Sequence, residues 1–266
     1  MPLGDYERDT FTHEGKARQV FRRGEGPAVI VIAEVPGITP AVLAFADRVA
    51  GIGCTAVLPH LFGEPGAAPS VRNGLGAIGF ACVSREFTLW ATGRTSPVTV
   101  WLRALARHEH ERCGGPGVGA VGMCLTGGFA LAMMVDDVVA APVLSQPSLP
   151  LPVLARQKRD LGISAADLAR VKERGAAGVT LLGLRFTCDR FVPAERFARL
   201  RDELGDAFVG VEIDSSPGNP HGIGKMAHSV LTEELVDEPG HPTRDALDQV
   251  LELFRTRLLV GTAPGG

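Results

Sequence analysis

Gly119-Ala-Val-Gly-Met-Cys124-Leu-Thr-Gly-Gly-Phe-Ala-Leu-Ala-Met133 is the stretch that decides the fold. It begins as a short apolar strand, passes through Gly122-Met-Cys-Leu-Thr-Gly-Gly128 and continues as a helix of small residues. Strand, sharp turn and helix in that order form a nucleophile elbow, with cysteine where the pattern G-x-S-x-G carries serine. The turn is strained and its flanking backbones nearly touch, so small residues are needed just before and just after the nucleophile. Gly122, Thr126 and Gly127 meet that need. A cysteine held there stands at the carboxyl edge of a sheet, near the positive end of the following helix, which favours thiolate over thiol. The plainer alternative makes Cys124 a buried small residue ahead of a glycine-rich helix. The flanking glycines favour the elbow.

Outward from this stretch, strands and helices alternate. Residues 6–23 are polar with isolated hydrophobics and predict a hairpin or edge strands outside the core. Ala28-Val-Ile-Val-Ile-Ala33 is a β-branched apolar run, as in a strand buried on both faces, and it exits into Glu34-Val-Pro-Gly-Ile38. A helix from Thr39 carries Ala41, Phe45 and Val49 on one face, and Cys54–Leu58 is a strand stopped by Pro59. The Gly- and Pro-rich stretch 60–95 reads as a lid or loop region of the kind that covers a pocket. Helical spacing returns over Val98–His108, and Asp137-Val-Val-Ala-Ala-Pro142 is a further strand after the elbow helix. Ser164–Lys172 is a capped helix, Val179–Phe186 a strand, Pro193–Leu204 a helix, Phe208–Ile213 a strand and Thr243–Leu259 a long amphipathic helix. This alternation predicts an α/β fold: a mostly parallel sheet with helices on both faces, a three-layer sandwich. One domain over residues 1–260 and a disordered tail at 261–266 are expected.

Composition narrows the classes. A chain of 266 residues, 45% hydrophobic and 21% charged, is long enough for one large core. A net charge of -3 without a clustered basic face argues against nucleic acid as a partner. The start lacks a signal-peptide layout and no run of about 18 apolar residues follows, so a cytoplasmic protein without a membrane partner is expected. The five cysteines, Cys54, Cys82, Cys113, Cys124 and Cys188, are far apart and include no C-x-x-C, so neither a disulfide framework nor a metal site is signalled. His108-Glu-His110 with Cys113 is read as a solvated helix end, because positions two apart face different ways. No P-loop and no G-x-G-x-x-G after a strand appears, and no cofactor is implied.

In a parallel sheet, function gathers at the carboxyl ends of the strands. The polar residues expected there are Glu34, His60, Cys124, Asp189 and, in the loop after Ile213, His221 and His228. Nucleophile, carboxylate and histidine follow in the chain order used by α/β-hydrolases. The chemistry explains the set: a thiol attacks an acyl carbon well when an imidazole takes its proton, and the imidazole needs a carboxylate to fix its tautomer and offset its charge.

Glu34-Val-Pro-Gly37, Gly122-Met-Cys-Leu-Thr-Gly-Gly128 and Asp189-Arg-Phe-Val-Pro193 together resemble the dienelactone hydrolase family, over about residues 28–259. The resemblance implies the α/β-hydrolase fold and hydrolysis of a small ester, lactone or thioester through an acyl-enzyme. It assigns Cys124 as nucleophile, Asp189 as orienting carboxylate and Glu34 as a gate that pairs with the cysteine at rest. The oxyanion donors would be the backbone N–H groups of Val35 and Leu125. The family form His-Gly-hydrophobic matches His221 and the form His-Ser-hydrophobic matches His228. His221 is preferred, since a loop returning from a strand end loses positional precision as it lengthens. Arg85, Arg94 and Lys225 are candidates to hold a substrate carboxylate. With Tyr6 as the single tyrosine, the family's aromatic pocket contacts are not all reproduced.

Duller roles stand beside these: Glu34 as a solvated strand-end carboxylate, and Asp189 as a turn or cap residue ahead of Pro193. Two other functions also remain open, a non-catalytic ligand-binding protein on the same scaffold and a cysteine redox sensor. The expected partner is a small-molecule ester or lactone, and the chain is expected to be a monomer or homodimer.

Overall fold

The structure is a computed structural model and describes residues 3–68, 96–148 and 158–259. The lid region predicted beyond residue 68, the candidates Arg85 and Arg94, and the tail at 261–266 lie outside the described residues. Eight strands form one sheet: β1 Glu7–His13, β2 Lys16–Arg23, β3 Ala28–Ile32, β4 Thr55–Pro59, β5 Val118–Met123, β6 Val139–Ser145, β7 Leu181–Phe186 and β8 Phe208–Ile213. Their order is β1-β2-β4-β3-β5-β6-β7-β8. β1 and β2 are antiparallel to their neighbours, and β4 through β8 with β3 run parallel.

The period-2 alternation of side chains splits the apolar strands between two cores. Ala28, Ile30 and Ile32 of β3 face one core, and Val29 and Val31 face the other. On the second face lie α1 (Pro40–Gly51) and α6 (Pro242–Phe254), contributing Val42, Phe45 and Val49 with Leu247, Val250 and Phe254. On the first lie α2 (Pro97–Cys113), α3 (Gly127–Met133), α4 (Ala165–Ala176) and α5 (Ala194–Leu204), with Trp101, Leu105, Phe129, Val171 and Phe197. The result is a three-layer α/β sandwich. Among the described residues no helix is long and apolar enough to cross a membrane.

Local chemistry sets the helix starts. Thr39, Ser96 and Ser164 each cap a helix by accepting a backbone N–H with the side-chain oxygen, and α1 and α2 carry proline in the first turn. Several expectations shift. The hairpin at 6–23 is present, but β2 is not peripheral: Val20 and Phe21 are fully buried because β4 pairs along its other edge. On α1 Ala41 is only half-buried, and the inward face is carried by Val42, Leu43, Phe45, Ala46 and Val49. β6 does not stop at Pro142 but runs to Ser145, since the ladder to β7 begins only after the proline, at Val143. The last helix changes to a π turn over Arg255–Leu259. Glu109 is not solvated: it is fully buried and accepts from Arg22 Nε (2.9 Å) and Nη2 (2.6 Å) and from Arg112 Nε (2.8 Å).

The elbow is as tight as its small residues require. Cys124 has φ +55°, a left-handed conformation that costs an L residue about 1–2 kcal/mol. A Cβ on Gly122 would lie 2.3 Å from the Thr126 carbonyl oxygen, and one on Gly127 would lie 2.6 Å from Pro147 Cα. Gly122→Ala is therefore expected to lower stability by roughly 1–3 kcal/mol in urea unfolding. Gly51→Ala, whose added methyl meets nothing within 4 Å, should leave the midpoint unchanged or slightly raised.

Candidate active site

The site forms where β3, β5, β6 and β7 end. Thr126 joins the first two: its Oγ1 accepts the N–H of Met123 (2.9 Å) and donates to the carbonyl of Ile32 (2.8 Å). This bond draws the end of β3, and with it Glu34 and Val35, against the elbow. Val35 and Leu125 are half-buried and packed on the first core, each one residue from a charged or nucleophilic side chain of the site. The thiol of Cys124 is partly exposed, and its Sγ lies 3.2 Å from Ser148 Oγ.

Beyond β7, Asp189 is buried and accepts the N–H of Phe191 at Oδ1 (2.9 Å). Its Oδ2 is 2.6 Å from Nδ1 of His228. Phe191, half-exposed, meets the His228 ring edge-on at 5.7 Å. Burial by itself would lower the pKa of His228. Hydrogen bonds to Asp189 and to Cys124, with the charges of both, overcome that and push it up to about 10. The imidazole is thus bracketed by the carboxylate on one side and the thiol on the other.

His221, the preferred histidine from sequence, is not in this group. Asn219 closes a turn on itself, its side chain bonding the carbonyls of Ser216 (2.9 Å) and Ile223 (2.7 Å). That turn leaves His221 exposed, with its ring 5.3 Å from His241 at the start of α6. The longer loop is not the less precise one, because the residues on both sides of His228 are anchored. Ala227, Val230 and Leu231 are buried in the second core, and the Val230 N–H donates to Gln146 Oε1 (3.3 Å). Lys225 is exposed on the same loop.

Glu34 is neither solvated nor hydrogen-bonded to Cys124. It is 4% exposed, and its carboxylate accepts from Ser229 Oγ (2.7 Å), Gln146 Nε2 (3.0 Å) and Thr232 Oγ1. Burial raises its pKa, and the bonds from Thr232 and Ser229, the charge of His228 and the bond from Gln146 pull the other way without cancelling it. The pairing with cysteine that the resemblance implied is replaced by a buried clamp on the loop that carries His228.

Ser148, Gln146, Ser229 and Thr232 are site residues that sequence reasoning missed. For the first two a signal existed: Ser145-Gln-Pro-Ser148 is the polar exit of β6, overlooked because that strand was expected to end at Pro142. Of the remaining cysteines, Cys54 is buried, which pushes its thiol up to about 11, and Cys82 lies outside the described residues. His60 is spent on the Gly63 carbonyl (2.9 Å). Among the described residues no group of three His, Cys, Asp or Glu side chains could hold a metal ion.

A mostly parallel sheet sandwiched by helices, with a cysteine elbow at its centre, defines an α/β-hydrolase. The family model of the dienelactone hydrolase family matches residues 16–258, and the chain belongs to that family. A dienelactone hydrolase-like promiscuous phosphotriesterase from metagenomic libraries superposes with TM-score 0.62 at 16% identity, covering 95% of this chain and 98% of its own. A dienelactone hydrolase from Anabaena variabilis ATCC 29413 gives 0.59 at 16% identity, with 96% and 99% covered. A putative dienelactone hydrolase from Klebsiella pneumoniae subsp. pneumoniae MGH 78578 gives 0.61 at 15%, with 94% and 97% covered. No curated protein matches the chain.

The raised pKa of His228 has a stability consequence. A group protonated more tightly in the folded state contributes fully below its unfolded pKa, near 6.5, and the contribution fades as pH rises through about 10. The urea midpoint of the parent should exceed that of His228→Gln most at mildly acidic pH, with the gap closing toward pH 10. A gap that widens with pH would show that the imidazole is not held as a cation.

Proposed function

We propose that the protein hydrolyses a small carboxylic ester, lactone or thioester with a Cys124-His228-Asp189 triad and an acyl-enzyme intermediate. The observation that carries the proposal is the His228 ring, bonded to Asp189 through Nδ1 and interacting with the Cys124 thiol. His228, kept protonated by its raised pKa, already holds the proton of Cys124, so the sulfur adds to the acyl carbon as a thiolate, and Asp189 holds the ring and offsets its charge. The backbone N–H groups of Leu125 and Val35 receive the oxyanion. The bond from the acyl carbon to the leaving oxygen, or to the leaving sulfur of a thioester, breaks and His228 gives its proton to the leaving group, leaving a thioester on Cys124. Water, deprotonated by His228, then releases the acid and restores the sulfur as a thiolate beside the protonated ring.

Glu34 in this proposal is a positioning residue, holding the loop of His228 through Ser229 and Thr232. Lys225 remains the described candidate for contacting an acidic substrate. A non-catalytic binding protein would not need an imidazole beside the cysteine, so the bracketed His228 favours turnover over that alternative. The redox alternative likewise gives no role to the Asp189–His228 pair. The proposal includes no cofactor, a single domain, a cytoplasmic location and a monomer or homodimer.

Hydrolysis of p-nitrophenyl acetate tests it. Cys124→Ala and His228→Ala should each lower kcat/KM by on the order of 10³ or more, and thiol alkylation should abolish turnover. His221→Ala should keep the parent rate. Parent-like turnover by Cys124→Ala would overturn the proposal.

A further inference from the structure

The triad leaves one close neighbour of the sulfur without a role. Ser148 is 3% exposed and touches Cys124 twice: Oγ lies 3.2 Å from Sγ, and its backbone N–H donates to the Cys124 carbonyl (3.0 Å). A residue fixed by its own backbone to the residue it addresses has little freedom to point elsewhere.

The segment carrying Ser148 is held on three sides. Gln146 donates its N–H to Leu184 of β7 (2.8 Å), and Pro147 packs so closely on Gly127 that no side chain would fit between them. From α5, Arg196 reaches in with its guanidinium, donating from Nη1 to the Pro147 carbonyl and from Nε to the Asp160 carbonyl (2.8 Å). Arg196 is 3% exposed, and its Nη2 has no hydrogen-bond partner among the described residues; it borders a small cavity that Ser148 and Gly128 also line. A guanidinium bonded to two carbonyls is an expensive brace: burial pushes its pKa down to about 10, and the nearby charge of Asp160 offsets this only in part. A neutral side chain would fill the space at lower cost, so the charge is tied to what it fixes.

We propose that Ser148 is a catalytic residue, its hydroxyl donating to the Cys124 sulfur and holding it as the attacking thiolate, and that Arg196 is the positioning residue that keeps Ser148 there through Pro147. This rests on the hydrolase reading above. The proton of the thiol already rests on His228, the hydroxyl proton stays on Ser148 Oγ, and the hydrogen bond weakens as the sulfur lone pair becomes the new S–C bond. Ser148 is not a second base, since a serine hydroxyl stays protonated throughout the working range.

The test follows alkylation of Cys124 by iodoacetamide, read by mass spectrometry on the peptide that contains it, at mildly acidic and at alkaline pH. Ser148→Ala should slow alkylation about tenfold at acidic pH, the loss of one charge-assisted hydrogen bond, while the alkaline rates converge. Ser148→Thr, which keeps the hydroxyl, should restore most of the acidic rate. Arg196→Lys should lie between parent and Ser148→Ala with the same pH dependence. An acidic rate for Ser148→Ala equal to the parent's, or an equal slowing at both pH values, overturns this inference alone. Ester turnover that survives Cys124→Ala overturns the hydrolase reading instead, and the two results are read in separate assays.

Discussion

The backbone at Cys124 is in a conformation that the residue would not adopt by itself. It is kept there because Gly122 and the Thr126 carbonyl leave no room for a wider turn, and because Thr126 ties the turn to the end of β3. A cost of about 1–3 kcal/mol for such a residue persists only where its surroundings over-determine it. Here they do, through a buried strand on one side and the apolar helix α3 on the other. The sulfur is raised to the sheet edge, where the end of β5 lies beside the end of β3. Every other feature of the site is placed relative to that turn.

The second constraint is a buried carboxylate. Glu34 leaves the central strand and is walled off from water, which disfavours its charge, so it needs donors from whatever packs against it. It finds them in Gln146 at the end of β6 and in Ser229 and Thr232, on either side of the apolar pair Val230 and Leu231. Three separate parts of the chain are thereby cross-linked next to Cys124. A loop residue such as His228 acquires the positional precision of a strand residue in this way. Arg196 does the equivalent on the opposite side, where a buried cation hydrogen-bonds to the carbonyls of Asp160 and Pro147.

Much of this was visible in the residues. Small residues around Cys124 demanded a tight turn, the β-branched runs demanded buried parallel strands, and Asp189 after Phe186 fell at a strand end as expected. Three things were not visible. A proline inside β6 reads as a stop in isolation, yet costs nothing where the adjoining ladder has not begun. Glu109 reads as a solvated helix charge until Arg22 of β2 is brought to it from 87 positions away. The loop of residues 214–240 carries two histidines with comparable sequence contexts, and nothing local separates them.

What the sequence alone determined, then, is the layered sheet, the turn that exposes a sulfur at its edge, and the carboxylate that follows β7, because each depends on steric and periodic rules acting over a few neighbouring residues. What only the tertiary structure decided is which imidazole meets that carboxylate and what surrounds the sulfur. His228 is brought in and His221 left outside by contacts among β3, β6 and the loop, between residues as many as 198 positions apart. Such contacts depend on how whole elements stack, and no local pattern encodes the distance between them.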